Sequence, residues 1–420
     1  MAASSPRPNP MKWTGDRNAR KGLWSTDPLD PMDDTIDDIN FLALKHLVHE
    51  LPDQPPQAGK CLVKFHRQSD FKRLYTISYL GHPIRYLFSM ALPLVPYYKT
   101  ASEVAVHFYL RENTTIPVAR LIAADSSAKN RLGFEWKLSE YIEGETAENV
   151  WLTMPWKSRF EFVAALAPLL GQLRDHKFDR IGSLYFRGAE GQYGLAECNE
   201  DGRYTYMVGQ LLQPSFHFHR RLFLPGHRGS FGDSSEWMRA EIDFQMRWIE
   251  TGPAVQTSEN RGDFDDEDWD SDFDEMVPKM KELCRRYQDV LPRILNTADS
   301  PSSYVLHHHD LSLANIIVDP ITFKIEAITG WEMIHVVPEW KASRFPKFLE
   351  NLNSAEVLTL RCFFDEALGL TRNELSFPGY DSSSAQTRRE LEEGVMDLTQ
   401  HPGSARDGLD WVYTNLIRPP

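Results

Sequence analysis

The twelve residues HHDLSLANIIVD, His308 to Asp319, are the most informative in the chain, and short apolar runs lie on both sides of them. They match the pattern H-x-D-x-x-x-x-N, in which Asp310 is the acid and Asn315 follows five residues later. A loop with this spacing presents the carboxylate on one side, and the chain then turns so that the amide oxygen faces another way. Asp310 and Asn315 are therefore the first candidates for a functional pair.

Kinase catalytic loops have the same pattern, in which the aspartate orients the acceptor hydroxyl and the asparagine binds a metal ion. Each residue also has a plainer interpretation: Asp310 as a carboxylate that caps backbone amides, and Asn315 as a turn amide. The position of the loop favours the catalytic interpretation, because a strand-rich segment with one helix precedes it and another strand follows.

Residues 61–143 predict an antiparallel meander. The runs CLVKFH, KRLYTISYL and PIRYLFSMAL are rich in β-branched and aromatic residues and follow one another at hairpin spacing, with Gly81 and His82 as a turn. A helix is expected to begin at Thr100, because Thr100 and Glu103 form the capping-box pattern T-x-x-E. Two further strands, VARLIAAD and FEWKLSEYI, complete the segment.

The chain after residue 144 changes from strand to helix periodicity. Amphipathic helices are predicted near 160–170, 236–250 and 275–295. Short strands are predicted at 304–306, 315–318 and 323–328, and an insertion without periodicity at 183–235. Strands first and helices later predict an α+β protein with two lobes. The expected domains are a partly ordered extension at 1–60, an N-lobe at 61–143 and a C-lobe at 144–420.

The charge of the chain is acidic and uneven. Its 46 Lys and Arg residues against 60 Asp and Glu residues give a net charge of -14, which provides no electrostatic reason to bind nucleic acid or an anionic bilayer. Nine carboxylates lie within residues 263–275, which predicts a solvated acidic loop. The aspartates between 266 and 272 have calcium-loop spacing, but Ser271 replaces the required glycine and Val277 the bidentate glutamate.

The cysteines at 61, 198, 284 and 362 are scattered, which argues against a disulfide framework and a thiolate zinc site. We therefore expect a reducing compartment, the cytoplasm. The basic first 21 residues leave a mitochondrial presequence open, although early prolines hinder the amphipathic helix that it needs. No apolar run is long enough to span a membrane.

Two further groups of residues leave alternatives open. Neighbours in an extended run point to opposite faces, so His307, His308 and His309 are not expected to converge on one metal ion. The aromatic run from Phe216 to His219 fits the lining of an acceptor pocket and fits an ordinary half-buried strand equally well.

The chain resembles the aminoglycoside phosphotransferase and choline kinase family, in particular its fungal branch of small-molecule kinase-like proteins. The resemblance covers roughly residues 61–420 and rests on the loop at Asp310, on GSLYF at 182–186 and on TGWEMIHVVPEWKASRFPKFLE at 329–350. It implies a bilobal kinase-like fold and ATP-dependent transfer of a phosphoryl group to a hydroxyl of a small molecule.

The resemblance also implies roles for individual residues. Asp310 would be the catalytic base, and His308 would pack beneath the loop and hydrogen-bond its backbone. Asn315 would bind magnesium. ATP would lie near the connector at 139–143, which includes Glu140 and Ile142, and Glu103 would be the helix glutamate that pairs with a strand lysine.

Three departures from the family pattern bear on activity. Gly330 precedes Trp331 where the family has an aspartate that holds the magnesium ions. Met90 or Ala91 stands where a strand lysine or arginine is expected for the phosphates. The first strand turn, at 68–70, contains Asp70 in place of glycines, and its carboxylate would repel the γ-phosphate.

These observations support three hypotheses about function. The first is an active small-molecule phosphotransferase that uses ATP and magnesium. The second is a kinase-like binding protein that has lost catalysis. The third keeps the cleft for acid or base chemistry on a metabolite, with Asp310 or His309 as the reacting group. The sequence does not identify the acceptor or the oligomeric state.

Overall fold

The computed structural model describes residues 61–69, 72–91, 95–130, 132–188, 203–217, 221–257, 267–295, 304–350, 354–368, 383–397 and 404–410. Its strands are β1 (Cys61–Ser69), β2 (Lys72–Tyr79), β3 (Arg85–Ala91), β4 (Leu121–Asp125), β5 (Trp136–Glu140), β6 (Glu145–Thr146), β7 (Lys177–Phe178), β8 (Gly182–Phe186), β9 (Tyr206–Gly209), β10 (Tyr304–His307), β11 (Ile316–Val318), β12 (Ile325–Ile328) and β13 (His335–Pro338). Its helices are α1 (Tyr98–Asn113), α2 (Ala147–Trp151), α3 (Trp156–Asp175), α4 (Pro214–His217), α5 (Ser234–Thr257), α6 (Glu267–Ile294), α7 (Glu339–Ala342), α8 (Lys347–Glu350), α9 (Ala355–Ala367) and α10 (Ser383–Asp397).

The predicted α+β class, with an antiparallel sheet first and a mostly helical region after it, is confirmed. The chain packs as two compact units. The first consists of the described residues of Met1–Phe162, Leu184–Met207 and Asp310–Ile334, and the second of those of Val163–Ser183, Val208–His309 and His335–Pro420. The predicted lobe boundary at residue 143 stays a prediction, and the first unit continues to Phe162. The extension at 1–60 lies outside the described residues.

The first unit is built on a five-stranded antiparallel sheet in the order β1-β2-β3-β5-β4. One face of this sheet is apolar: Tyr75, Phe88 and Leu138 lie side by side on β2, β3 and β5, and each is buried. The predicted turn at Gly81 joins β2 to β3, and His82 donates its backbone N–H to the carbonyl of Tyr79. The meander predicted from the sequence is therefore confirmed for the described strands.

Helix α1 begins two residues earlier than predicted, so the capping box is wrong. Tyr97, with a φ of 71°, precedes the helix and donates its backbone N–H to the Glu135 carboxylate at 2.5 Å. Thr100 lies inside the helix, and Glu103 points to a lysine rather than back to the helix start. The cap comes from a carboxylate distant in sequence, which a local motif does not reveal.

The first unit also contains a three-stranded sheet in the order β12-β11-β6. Ile317 on β11 lies opposite Thr146, directly after the connector, and Ile316 lies opposite Ile328 on β12. These pairings hold the segment after Asn315 close to the connector and to the segment that leads to Gly330.

The second unit contains β7, β10 and β13, which are neighbours in that order in one sheet, together with helices that include α5 and α6. The acidic loop predicted at 263–275 is wrong from Glu267 onward, because α6 begins there; residues 263–266 lie outside the described part. Carboxylates are favourable in the first turn of a helix, where they face its positive end. Phe216 and His217 lie in α4 and are buried, so the strand interpretation is wrong for these two residues, and Phe218 and His219 lie outside the described residues.

In the described parts of the chain, no helix combines the length and the apolar character that crossing a bilayer requires.

Candidate functional site

The loop after β10 brings Asp310 and Asn315 together. A turn of 3-10 helix covers Leu313–Asn315, and β11 follows at once. The side-chain nitrogen of Asn315 donates to the backbone carbonyl of Asp310 at 2.8 Å and to its carboxylate Oδ2 at 3.1 Å. The two residues that the motif singles out are therefore joined by hydrogen bonds, which the plainer interpretation of a capping carboxylate and a turn amide also allows.

Gly330 packs directly against the side chain of Asn315. Its φ of 81° lies in the left-handed region. A Cβ at this position would lie 2.8 Å from Cγ of Asn315 and 2.9 Å from its Nδ2, which is closer than such atoms approach. The neighbouring Thr329 donates its backbone N–H to the carbonyl of Asn315 at 2.8 Å, so the two segments are held at this separation. A side chain at position 330 would therefore require Asn315 to shift.

The residues around Asn315 do not fit a magnesium site. Magnesium requires octahedral oxygen coordination and is usually anchored by one or two carboxylates together with substrate phosphates. Asp310 offers one carboxylate, and its Oδ2 already accepts a hydrogen bond from Asn315. No group of three or more His, Cys, Asp or Glu side chains is placed to hold a metal ion in the described ranges.

A buried ion pair joins α1 to β5. The carboxylate of Glu103, which is 3% exposed, accepts a hydrogen bond from the ammonium group of Lys137. The sequence predicts a partner for Glu103 on β3, but Met90 and Ala91 are buried apolar residues there. Lys137 lies on the neighbouring strand, opposite Ser89. The helix glutamate therefore has its lysine, one strand away from the expected position.

Two more lysines meet a second carboxylate beside this pair. Lys72 on β2 lies 3.0 Å from Oε1 of Glu332, and Lys99 on α1 lies 3.6 Å from Oε2. Lys99 also lies 3.8 Å from Oε2 of Glu103, so it connects the two carboxylates. We call Lys72, Lys99, Glu103, Lys137 and Glu332 the charge cluster.

Mutual pairing keeps most of the charge cluster ionised. Burial opposes the charge of Glu103, but Lys137 and Lys99 outweigh it and hold the pKa of Glu103 well below its ordinary value. In the same way, Lys72 and Lys99 lower the pKa of Glu332 against the effect of burial. Burial also opposes the charge of Lys72, yet Glu332 and Glu103 raise its pKa. For Lys137 burial prevails over Glu103, and the pKa is lowered.

The connector at 139–143 is held by its own contacts. The Glu140 carboxylate accepts the backbone N–H of Arg120 at 2.8 Å, and Tyr141 donates its N–H to the carbonyl of Arg85 at 3.1 Å. Arg85 forms an ion pair with Glu143, and its guanidinium lies 4.4 Å from the centre of the Tyr141 ring. Ile142 is half-buried. The nucleotide-binding roles of Glu140 and Ile142 stay predictions.

The histidines before the loop belong to the second unit. His307 lies opposite His335 in the β10–β13 pair, and the ring of His309 stacks on that of His335 with centroids 5.2 Å apart. Burial is the main reason that the pKa values of His307 and His335 lie well below the ordinary value. His308 is buried, in agreement with a packing role. A role for His308 in catalysis stays a prediction.

The sequence motifs do not single out Lys72 and Lys137, although the residues around these two lysines give an indication of them. Lys137 interrupts the otherwise mostly apolar run FEWKL, and Lys72 begins a strand that continues as LYTISY after Arg73. An ammonium group in a buried strand requires a carboxylate partner. That requirement singles out the two lysines, but only the tertiary structure assigns Glu103 and Glu332 as their partners.

Comparison with known proteins gives distant matches. No family model matches the chain. A subtelomeric hrmA-associated cluster protein of Aspergillus fumigatus, found in two strains, is 23% identical over an alignment of 284 residues, and the match covers 61% of this chain and 54% of the relative. The chain therefore spans about half the length of the curated relatives it matches.

Solved structures resemble the whole fold at low identity. An ADP-bound aminoglycoside phosphotransferase APH(2'')-Ib is 9% identical, with 89% of this chain and 97% of that chain covered and a TM-score of 0.48. A streptomycin-ATP complex of APH(2'')-IIa is 11% identical, with 88% and 95% covered and a TM-score of 0.47. Both TM-scores are below 0.5, so function has to be argued from this chain's own residues.

Proposed function

We propose that this chain is a kinase-like binding protein for a nucleotide or another phosphorylated small molecule, and that it has lost magnesium-assisted phosphoryl transfer. The observation that carries the proposal is the packing of Gly330 against Asn315. Phosphoryl transfer depends almost wholly on preorganised charges, and the loss of one such group costs about 2.7 to 4 kcal/mol of transition-state stabilisation.

The binding half of the proposal rests on the charge cluster. Lys72 and Lys137 have side chains that are each 12% exposed, so their ammonium groups are nearly buried and already oriented by carboxylates. Ammonium groups fixed in this way bind phosphate with little loss of side-chain entropy. The Lys137–Glu103 pair takes the place of the strand lysine and helix glutamate that the family resemblance implies, and we place the adenine of a bound ATP at the connector beside Glu140 and Ile142.

Active phosphoryl transfer is the second candidate, and the hydrogen-bonded pair of Asp310 and Asn315 favours it. In this reaction, Asp310 would accept the proton of an acceptor hydroxyl. The hydroxyl oxygen would then form a bond to the γ-phosphorus of ATP while the bond to the ADP oxygen breaks. The acceptor would be a small hydroxylated molecule.

Thermal melting with ATP, with magnesium and separately with EDTA, tests the proposal. One binding site stabilises a protein by about 2.7 kcal/mol when the ligand is at 100 times its Kd. We expect ATP to raise the Tm equally in both buffers, and we expect no transfer from γ-labelled ATP to a mixture of small hydroxylated metabolites. A flat Tm at millimolar ATP and at millimolar tripolyphosphate would overturn the binding proposal.

A matched variant separates the two candidates. Transfer that exceeds the background of an Asp310→Asn variant would support the active enzyme, because that variant keeps the shape of the side chain but is not a base at this position. Equal signals from the two proteins agree with lost catalysis.

The cytoplasm remains our proposed location, since a reducing compartment suits the cysteines at 61, 284 and 362, which form no disulfide in the described part of the chain.

A further inference from the structure

Glu332 lies between two lysines from different elements of the first unit. Its Oε1 is 3.0 Å from Nζ of Lys72 on β2, and its Oε2 is 3.6 Å from Nζ of Lys99 on α1. One carboxylate oxygen therefore faces each ammonium group. This is the arrangement in which two lysines bind an oxyanion, and here the oxyanion is part of the chain.

The backbone on both sides of Glu332 is held in place, while its side chain remains able to turn. Trp331 is 2% exposed and donates its indole N–H to the carbonyl of Ile328 at 2.7 Å. Met333 is also 2% exposed and has a φ of 53°, an unusual conformation for a residue with a side chain. Because both neighbours are held in the core, the backbone of Glu332 keeps its carboxylate within reach of Lys72 and Lys99.

Solvent reaches one side of the charge cluster more easily than the other. The side chains of Lys72 and Glu332 are 12% and 14% exposed, whereas those of Lys99 and Glu103 are 2% and 3% exposed. An anion that arrives from solvent therefore meets the Lys72–Glu332 side first. It gains a direct contact with Lys72 and Lys99 when the carboxylate of Glu332 moves away from them.

We infer that Lys72 and Lys99 form a phosphate-binding pair and that Glu332 is a built-in competitor for it. The inference rests on the proposed function and deepens it, because it assigns the residues that receive the phosphate and the group that limits their affinity. Its ligand is a phosphate-bearing anion, either the polyphosphate tail of a nucleotide or free inorganic polyphosphate. To bind, a phosphate has to replace the carboxylate of Glu332 as the anionic partner of Lys72 and Lys99.

Removal of the competing charge tests the inference. We expect Glu332→Gln to bind ATP and tripolyphosphate about tenfold more tightly than the wild type, because the neutral amide competes less for the two lysines. Binding of adenosine should not change. Titration calorimetry without magnesium measures all three ligands, and tripolyphosphate separates free phosphate binding from nucleotide binding. The control is Glu161→Gln, which removes the charge of an exposed glutamate that pairs with Lys157.

A second pair of variants makes the result specific. Lys72→Met in the Glu332→Gln background should abolish the gain for both anions. Glu332→Asp keeps the charge but shortens its reach, so we expect an intermediate affinity, and this variant replaces Glu332→Gln if the latter does not fold by circular dichroism.

The outcomes separate this inference from the proposed function. If the wild type binds ATP and both Glu332 variants bind it no more tightly, the competitor role is wrong while the binding function stands. If neither the wild type nor the variants bind ATP or tripolyphosphate, both are wrong. A gain that survives Lys72→Met would also overturn the inference, because the phosphate would then be bound elsewhere.

Discussion

Lys137 on β5 pairs with Glu103 on α1, although the neighbouring strand β3 is where a kinase-like sheet is expected to supply the lysine. Ser89 on β3 stands opposite Lys137, so the lysine that pairs with Glu103 lies one strand away from β3. The helix glutamate retains its partner because the charge, and not the strand that carries it, satisfies a buried carboxylate.

Lys137→Met should destabilise the first unit. The substitution leaves Glu103 buried without its nearest cation, and breaking a buried pair in this way costs about 3 kcal/mol or more. Lys99, 3.8 Å from Glu103, compensates only in part. Urea unfolding followed by tryptophan fluorescence measures the loss.

The matched control for this prediction is Lys157→Met on α3, which removes an 88% exposed lysine that pairs with Glu161. A surface pair contributes about 1 kcal/mol at most, so this variant should unfold close to the wild type. Glu103→Gln combined with Lys137→Met should recover stability relative to Lys137→Met alone. If the double variant lost more unfolding free energy than the two single variants lose together, the pairing would be contradicted.

The sequence predicts the meander, the later helices and the Asp310–Asn315 loop, because each depends on local periodicity or on a short motif. It fails where a distant residue decides the structure. The start of α1 depends on Glu135, whose pKa burial raises to about 7, and no local pattern connects it to Tyr97. The charge cluster likewise unites residues from β2, α1, β5 and the segment after Gly330.

Gly330→Asp should destabilise the chain instead of restoring catalysis. The new Cβ would lie 2.8 Å from Cγ of Asn315, and the strained φ of 81° adds a cost for any side chain. Gly81→Asp is a close control, since Gly81 has a φ of 80° and no atom lies within 4 Å of the position that its Cβ would take. Overpacking alone costs about 1 to 3 kcal/mol, so Gly330→Asp should be less stable than Gly81→Asp by that amount.

A second substitution tests the cause of that difference. Asn315→Ala removes the atoms that the new side chain would meet, so Gly330→Asp should cost less in this background than in the wild type. Chemical denaturation of the four proteins gives the coupling energy. Equal costs in the two backgrounds, or a transfer activity that appears with Gly330→Asp alone, would contradict the packing argument.

The second unit contains a buried carboxylate that makes stability depend on pH. Glu241 on α5 accepts a hydrogen bond from the side chain of Gln245 at 3.1 Å, and Gln245 accepts one from Arg221 at 3.2 Å. The guanidinium of Arg221 lies 4.5 Å from the centre of the Trp248 ring. Burial raises the pKa of Glu241 to about 7 against the opposing effects of the hydrogen bond from Gln245 and of the charge of Arg221.

Glu241→Gln should remove a loss of stability that grows with pH. The pKa of Glu241 is about 7 in the folded chain and near its ordinary value of 4.5 in the unfolded one, so the folded state binds this proton more tightly. The stabilising contribution of this proton to the free energy of unfolding is fully present below pH 4.5 and is lost as the pH rises through 7. The loss is on the order of 3 kcal/mol. Urea unfolding of wild type and variant from about pH 4 to 8 should therefore show a difference that increases in favour of the variant, whereas the exposed Asp243→Asn control on the same helix should show none. A difference between Glu241→Gln and the wild type that stays constant across this range would mean that Glu241 does not titrate there.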